Sequence, residues 1–502
     1  ITDLIAEYEL RHHFRNTGPA AIEAVYSFPV PLDAAFMGME ATLGGEHLIA
    51  QIHPRAQASR EYDDAITDGD SAVLLEWLEA GMLCVNLGNL KPGEEGEILL
   101  RFAAPLRCAD GTARFSLPLV HRPRYGHSRL DELVESQHDF AVEHPLDASI
   151  HVRGLLAHAP VSCASHAARF SSDTHGQSLQ LNRAMLDRDM VLSFDLPADF
   201  SGQARLLRDG DRAMGVLSFN LPLDLQTSVP TDLCLVMDGS GSMTGDAIAQ
   251  SRAALHAVAG VLSEADRIQV LRFGSSIVPL FRRPLKATTR VCEAMKELAD
   301  TVDSDLGGTE MGAALDRAIE ALIATEEAAG RNRAIILVTD GAVHPHNVKA
   351  AQERASQLGI AIFVVAVGSS AGSDVLEPLA RATRGVLERA VPAEPIDAAV
   401  MRQMRRARSA HPVDIHIDWG HADAKPLPRG PAFAGDAVTA FAVLPLETTS
   451  RATVNLAHGR HRLSFGLAVL EDAPALRALA GHLAYRHAAD EQKEALALRY
   501  GL

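Results

Sequence analysis

The chain has 502 residues, which at roughly 150 residues per domain predicts about three domains. Its composition, with 47% apolar and 22% charged residues, is globular and excludes a disordered chain. The 64 acidic against 47 basic residues give a net charge of −17. This charge argues against nucleic acid and anionic lipid surfaces as partners, whereas divalent cations are compatible with it.

Neither a membrane segment nor a disulfide framework is predicted. The longest apolar run, Ile360 to Val367, is far shorter than the roughly 18 residues that a membrane helix needs, so no membrane insertion is expected. The five cysteines are scattered without any Cys-x-x-Cys spacing, which favours reduced core cysteines. They slightly favour a cytoplasmic over a secreted or periplasmic location, and the compartment stays open.

The first half of the chain has the pattern of antiparallel β structure. Residues 1–125 contain strand-sized runs between glycines and prolines, with one helical stretch, Arg55 to Ala65, that ends before Asp68-Gly69. Residues 126–230 add alternating runs such as Ala148 to Val152 and Met190 to Phe194. We expect two adjacent β-sandwich modules.

From Thr231 the pattern changes to alternating strands and helices, which predicts a parallel sheet covered by helices over residues 231–395. Leu233 to Met237 is a continuous apolar run suited to a strand buried on both faces. Helices are predicted over Gly312 to Ala328 and over Asn347 to Leu358, the latter ending at a left-handed Gly359.

Alternating strands return in residues 396–502, followed by a helical tail from about Pro474 to Leu498. The predicted fold class is therefore a multidomain α/β and all-β protein. A Rossmann-like domain is framed by antiparallel β-sandwich modules, and the strands after it return to the sandwich region.

Short oxygen-bearing side chains follow the strand ends of the predicted α/β domain. The first strand leads into Asp238-Gly-Ser240-Gly-Ser242, a later strand ends at Asp340, and Thr309 lies on a glycine-rich loop before a helix. Ligands of open α/β sheets bind at the carboxyl ends of the strands. We therefore expect these five side chains to surround one point.

Three neutral hydroxyls with two nearby carboxylates suit a hard divalent cation, because Mg²⁺ prefers oxygen ligands and keeps several waters. If the hydroxyls bind the ion directly and the carboxylates act through water, the ion stays electrophilic and keeps one position open. A carboxylate of another molecule can complete it. The sequence predicts a metal-bridged docking site.

These residues resemble the metal-ion-dependent adhesion site of von Willebrand factor type A domains, with all five motif positions intact. The resemblance implies that Ser240, Ser242 and Thr309 coordinate Mg²⁺ or Mn²⁺, with Asp238 and Asp340 completing the metal site. It also implies a protein partner that supplies an Asp or Glu carboxylate.

The N-terminal part resembles the VIT domain of inter-alpha-trypsin inhibitor heavy chains. The matching stretches are Tyr26 to Pro31, Tyr62 to Ile66 with Gly69 to Glu76, Gly88 to Gly93, Phe115 to Pro118, and Pro123 to Tyr125. In that family the pattern continues beyond the position of Leu502, so we expect the sequence to be a fragment. The Asp-Pro cleavage motif of the secreted heavy chains is not found here, and their glycosaminoglycan linkage is not carried over.

Three weaker signals have ordinary interpretations. The acidic segment Asp63 to Asp70 lacks the order of ligand residues of an EF-hand calcium loop, and we predict a solvated turn there. His344-Pro-His346 is predicted to be a surface turn near Asp340, although a histidine there could contact the metal. The arginines of a helix near residue 405 are expected to form a solvated face, with pairing to acidic neighbours left open, rather than a nucleic-acid site; they are Arg402, Arg405, Arg406 and Arg408.

The sequence thus predicts a metal-dependent protein interaction module, for adhesion or scaffolding, rather than an enzyme. No nucleophile–base pair, zinc motif or phosphate-binding loop is found. The alternative is an accessory subunit that presents a client to an ATPase or chelatase-type complex. Co-purification with a hexameric ATPase would favour that alternative.

Overall fold

The computed structural model describes residues 1–79, 81–120, 144–325, 330–341, 345–368, 373–390, 394, 396–427, 429–447, 451–456, 461–470 and 472–501. In this part of the chain, one parallel-type sheet is combined with five sheets built mainly from antiparallel strands. The predicted combination of α/β and all-β architecture is confirmed. Within the same residues, no helix is both long enough and apolar enough to cross a membrane.

The N-terminal unit is an antiparallel sandwich with one helix. Its elements are β1 (Ile5–Arg15), β2 (Ile22–Pro29), β3 (Ala35–Leu43), β4 (Glu46–Ile49), α1 (Arg55–Asp68), β5 (Ala72–Glu79), β6 (Met82–Leu90) and β7 (Glu95–Pro105). Sheets β1-β7-β3-β4 and β2-β6-β5 face each other across a core that includes Phe28, Val85 and Phe102. Exposed residues alternate with buried or half-buried residues along β1, as expected for a strand with one solvated face.

Helix α1 is longer than predicted, because it runs to Asp68 and ends where Gly69 adopts a left-handed φ of 87°. The Asp70 N–H donates to the Ala65 carbonyl at 2.9 Å, which closes the helix end. The acidic segment interpreted as a solvated turn is therefore the last helical turn and its cap.

A second sandwich continues from the first and shares its core. Its strands are β8 (Arg107–Ala109), β9 (Thr112–Leu117), β10 (Pro145–Val152), β11 (Val161–Cys163), β12 (Arg169–Asp173), β13 (Gly176–Met185) and β14 (Met190–Asp195). They form sheets β11-β14-β9-β8 and β10-β13-β12. One apolar cluster extends from Leu4 to Leu196, so the two sandwiches are one packing unit. Pro123 to Tyr125 lie outside the described residues.

A hairpin, β15 (Gly202–Asp209) and β16 (Arg212–Asn220), precedes the α/β unit. The elements of that unit are β17 (Thr231–Asp238), α2 (Asp246–Val261), β18 (Arg267–Phe273), β19 (Ile277–Pro279), β20 (Leu285–Lys286), α3 (Thr289–Thr301), α4 (Met311–Ile323), β21 (Asn332–Thr339), α5 (Pro345–Gln357), β22 (Ala361–Val367), α6 (Ser373–Ala382), β23 (Leu387–Ala390) and α7 (Ile396–Arg408). The sheet order is β19-β18-β17-β21-β22-β23, with β20 on β18.

This sheet is covered by helices on both faces, as the sequence predicts. Every residue of β17 is buried, and alternate residues enter different cores: Leu235 and Met237 face one layer, Cys234 and Val236 the other. Gly359 has a φ of 67° after α5, and the Ile360 N–H donates to the Ala355 carbonyl at 2.9 Å. The predicted left-handed cap is confirmed.

The strands that follow the α/β unit complete a sheet begun before it. They are β24 (Ile415–Asp418), β25 (Lys425–Pro426), β26 (Ala437–Pro445), β27 (Arg451–Leu456) and β28 (His461–Leu470). The sheet order is β24-β27-β28-β15-β16-β26-β25. Strand β28 lies parallel to β15, and β26 is antiparallel to β16. The α/β unit is therefore an insertion between β16 and β24.

Two C-terminal helices, α8 (Pro474–Arg486) and α9 (Asp490–Tyr500), end the described chain. Leu476 and Leu479 of α8 share one apolar cluster with Ala103 of β7 and Met214 of β16. Helix α8 thus joins the N-terminal sandwich to the seven-stranded sheet.

Candidate metal centre

The predicted site residues lie at the carboxyl edge of the parallel sheet, on three loops that follow or adjoin central strands. Asp238 is the last residue of β17, and Asp340 directly follows β21, the strand paired with it. Ser240 and Ser242 are in the turn after β17, and Thr309 precedes α4. The structure therefore brings together elements that are separated by up to a hundred residues of sequence.

The turn after β17 holds its two serines side by side. The Ser240 and Ser242 hydroxyl oxygens are 3.0 Å apart, and the Ser240 N–H donates to Asp238 Oδ1 at 2.9 Å. Ser240 and Asp238 are almost fully buried, whereas Ser242 is half-buried. The oxygen atoms of Asp238 and Ser240 are therefore enclosed, and Ser242 forms the side of the group that reaches solvent.

The Thr309 loop is connected to this turn through backbone hydrogen bonds. The Gly241 N–H donates to the Gly307 carbonyl at 2.9 Å, and the Leu306 N–H donates to the Gly239 carbonyl at 2.9 Å. Gly307 has a φ of 77°, which favours glycine there. The buried Thr309 Oγ1 has no hydrogen-bond partner among the described residues.

A buried hydroxyl without a partner costs free energy, because it has lost its water without replacing it. Here it lies on a loop attached to the Ser240–Ser242 turn. An ion bound between these loops would supply the missing partner. The donor set of hydroxyl and carboxylate oxygens fits Mg²⁺ or Mn²⁺.

Electrostatics at the site also suit a cation. Burial and, to a smaller extent, the nearby Asp340 raise the pKa of Asp238 to about 6, although hydrogen bonds from Ser240 and Thr339 oppose this shift. Among the described residues, no lysine, arginine or histidine forms an ion pair with Asp238. A divalent cation would offset the repulsion between the two carboxylates.

Two supporting residues were not assigned from the sequence. The Thr339 hydroxyl donates to Asp238 Oδ2 at 2.6 Å, so both Asp238 oxygens accept hydrogen bonds. Ser275 Oγ accepts the Gly308 N–H at 2.7 Å, and its own N–H donates to the Leu306 carbonyl. Thr339 adjoins Asp340 and could have been suspected on that ground. Ser275 carries no such signal, because its role depends on the contact between two loops.

His344, predicted to be near Asp340, lies outside the described residues, as does the His346 side chain. The metal-binding roles stay predictions for all five site residues: Asp238, Ser240, Ser242, Thr309 and Asp340.

Two domain families match the chain. The Vault protein inter-alpha-trypsin domain matches residues 1–102, and the von Willebrand factor type A domain matches residues 232–391. The second match contains all five predicted site residues.

Among curated proteins, the von Willebrand factor A domain-containing protein 5A of Rattus norvegicus is 24% identical over 455 residues, covering 84% of this chain and 54% of that protein. The human protein mono-ADP-ribosyltransferase PARP4 is 23% identical over 404 residues, covering 77% of this chain and 23% of that protein. The chain thus spans about half the length of the first relative.

A solved von Willebrand factor type A structure from Catenulispora acidiphila is 14% identical, with a TM-score of 0.38, covering 60% of this chain and 89% of that one.

Proposed function

We propose that this chain, which carries a Vault protein inter-alpha-trypsin domain and a von Willebrand factor type A domain, is a protein interaction module whose binding depends on a divalent cation. Protein–protein interaction is the role that the type A domain suggests. The finer proposal concerns the metal and the partner group. Mg²⁺ or Mn²⁺ bridges the site to an Asp or Glu carboxylate of the partner.

The observation that carries this proposal is the buried Thr309 hydroxyl without a described partner. It lies on a loop whose backbone is hydrogen-bonded to the turn that holds two serine hydroxyls 3.0 Å apart. In this proposal, Ser240, Ser242 and Thr309 would hold the ion directly. The neighbouring carboxylates, Asp238 and Asp340, would hold its waters. When bound, the ion supplies an electrophilic centre for a carboxylate.

The protein's own residues prepare this site before any ion binds. Thr339 and the Ser240 N–H fix both oxygens of Asp238, so that carboxylate has little freedom to rotate. The Gly241–Gly307 hydrogen bond keeps the serine turn beside the Thr309 loop. Such preorganisation reduces the entropy lost on binding.

We also propose that the chain acts by binding rather than by catalysis. The transferase activity in the name of the human relative belongs to a protein of which the chain covers 23%. The site offers hydroxyls and carboxylates suited to holding an ion. A turnover assay that gives metal-independent product would contradict this part of the proposal.

The test is partner capture by the immobilised chain in Mg²⁺ and in chelator, with free glutarate as a carboxylate competitor. We expect capture that requires the metal, is displaced by glutarate, and is lost in Asp238→Ala and Ser242→Ala. Ser276→Ala, a nearby exposed serine, is the matched control and should bind normally. Capture that persists in chelator or in both site variants would overturn the proposal. Capture of a hexameric ATPase alone would favour the client-delivery alternative.

A further inference from the structure

A continuous groove runs along the edge of the parallel sheet that is opposite the candidate metal centre. It consists of three adjoining cavities of 240, 550 and 280 Å³. Arg381 and Arg429 line the first and second cavities, and Arg384 lines the second and third. We name it the arginine groove after these three residues.

The groove is formed jointly by the inserted α/β unit and the seven-stranded sheet. Arg381 is in α6, Arg384 lies in the turn before β23, and Arg429 lies between β25 and β26. Strand β17 separates this edge from the metal centre, and its eight residues span roughly 25 Å at about 3.3 Å per residue. The two sites are therefore independent in space.

The turn that carries Arg384 is fixed by close packing. A Cβ atom at Gly385 would lie 1.9 Å from the Ile362 carbonyl oxygen, so only glycine fits there. Arg384 itself has a φ of 61°, a conformation that costs of order 1 kcal/mol for a non-glycine residue. The exposed Arg384 thus occupies a left-handed backbone position that glycine or asparagine would favour.

Two of these arginines, Arg381 and Arg384, lack the carboxylate partners that many other arginines of the described chain have. Among the described residues, neither the Arg381 nor the Arg384 side chain has a hydrogen-bond or ion-pair partner. Arg429 donates to the carbonyls of Gly430 and Ile415 at 3.2 and 3.3 Å. Burial lowers the pKa of Arg429, with Asp414 as the opposing charge.

The described lining of the middle cavity contains no acidic residue. In the first cavity, the acids Asp33 and Glu377 both bind Arg107. His482 lines that cavity too, and its buried Nε2 has no partner among the described residues. In a chain with a net charge of −17, this is a local excess of cationic and donor groups.

The walls between the arginines are apolar. Leu427 lines the first two cavities, Leu483 the first, and Val413 the second. The combined space is far larger than a single small anion requires. Alternating cationic and apolar groups along an open groove match an extended segment whose acidic and apolar residues alternate.

We propose that the arginine groove binds an extended acidic segment of a partner protein, with its carboxylates on Arg381, Arg384 and Arg429 and its apolar side chains against Leu427 and Val413. Two guanidinium groups have no described partner, so a carboxylate ligand displaces no existing ion pair there. The site needs no metal.

The test is fluorescence anisotropy on the full chain with a labelled peptide in which glutamate alternates with leucine. We expect saturable binding that is unchanged by chelator and weakened by salt, with no binding of the corresponding glutamine–leucine peptide. The double variant Arg381→Gln with Arg384→Gln should bind roughly tenfold or more weakly. Arg283→Gln with Arg290→Gln, two exposed arginines elsewhere on the α/β unit, is the charge-matched control.

A second variant guards against loss of folding. Arg384→Gly removes the guanidinium and suits the left-handed backbone, so it should bind more weakly with an unchanged or higher melting temperature. Absence of peptide binding at low salt, or equal binding by the double variant, would overturn the proposal. Equal affinity for single-stranded RNA would also overturn it, because the groove would then be a general anion site. Loss of metal binding in Asp238→Ala should leave peptide binding intact.

Discussion

At the scale of single residues, the candidate metal centre depends most visibly on Thr309. Its Oγ1 is buried without a described partner, so the hydroxyl contributes little to the folded state without an ion. Thr309→Val removes the oxygen and nearly conserves volume. We predict a melting temperature without metal that is unchanged or higher, and loss of the increase that Mn²⁺ gives the wild type.

Thr301→Val is the control for this substitution, because Thr301 is an exposed threonine whose hydroxyl bonds only to its own helix. Thermal unfolding of both variants with and without Mn²⁺ separates the two effects. A Thr309→Val protein that Mn²⁺ stabilises as much as the wild type would show that this hydroxyl is not a ligand.

His12 gives the folding stability a pH dependence that does not involve the metal centre. Its ring packs edge-on against Phe28 and Tyr26 at 5.0 and 5.2 Å between centroids. Burial, with a smaller contribution from His13, lowers its pKa to about 4. The unfolded chain binds a proton near pH 6.5. Stability from neutral His12 is therefore fully present above pH 6.5 and is lost as the pH falls towards 4.

We predict that His12→Phe reduces the loss of unfolding free energy between pH 6.5 and 4. Denaturant unfolding at several pH values measures this change. His13→Gln, at the adjacent exposed position, should leave the pH profile close to that of the wild type. If His12→Phe loses as much unfolding free energy as the wild type between pH 6.5 and 4, the loss comes from other titrating groups.

At the scale of elements, the arginine face of helix α7 is held by ion pairs to other parts of the chain rather than exposed to solvent. Arg406 is 4% exposed and binds both Glu388 of β23 and Asp436, which follows the α/β unit. Arg405 binds Asp110 of the N-terminal half. The prediction of a solvated arginine face was wrong, because these acidic partners are distant in sequence and helical periodicity cannot reveal them.

Arg406→Gln should reduce the unfolding free energy by about 3–5 kcal/mol, because the buried Asp436 carboxylate then has no ion-pair partner among the described residues and Glu388 keeps only Arg402. Arg354→Gln is the control, since its ion pair with Asp316 is largely exposed and should contribute under about 1 kcal/mol. Chemical denaturation of both variants compares them directly. Equal, small effects would mean that water replaces Arg406 at no cost.

The elements near the site could be predicted because their signals are local. The apolar run of β17, the glycines after it and the oxygen side chains at strand ends are readable within a few residues. The lengths of α1 and α4 were less predictable, since caps decide where helices end. Support from Thr339 and Ser275 depends on tertiary contacts and was missed.

At the scale of the whole molecule, the α/β unit is an insertion whose two connections are adjacent. The Val229 N–H donates to the Arg408 carbonyl at 2.8 Å, and the Ala410 N–H donates to the Thr227 carbonyl at 3.0 Å. The sequence predicts that strands return after this unit. Which strands pair, including parallel β15 and β28, depends on contacts across more than 200 residues, beyond any local pattern.

Replacing residues 230–408 with a short glycine–serine linker should therefore leave the β units folded. Among the residues that the structure describes, the core of the seven-stranded sheet is formed by residues before and after the insertion, such as Phe219 and Trp419. We expect cooperative unfolding at a lower temperature, because ion pairs such as Arg114–Glu394 are lost and Phe433 is exposed. Circular dichroism without a cooperative transition would show that the insertion is required for folding.

The most direct test of the candidate metal centre is calorimetric titration of Mg²⁺ and Mn²⁺ into the metal-free wild type and the Asp238→Ala variant. We predict a single binding site in the wild type and no binding in the variant, with both proteins folded by circular dichroism. Absence of metal binding to the wild type, or equal binding to the variant, would contradict the central claim that these strand-end oxygens form a cation site.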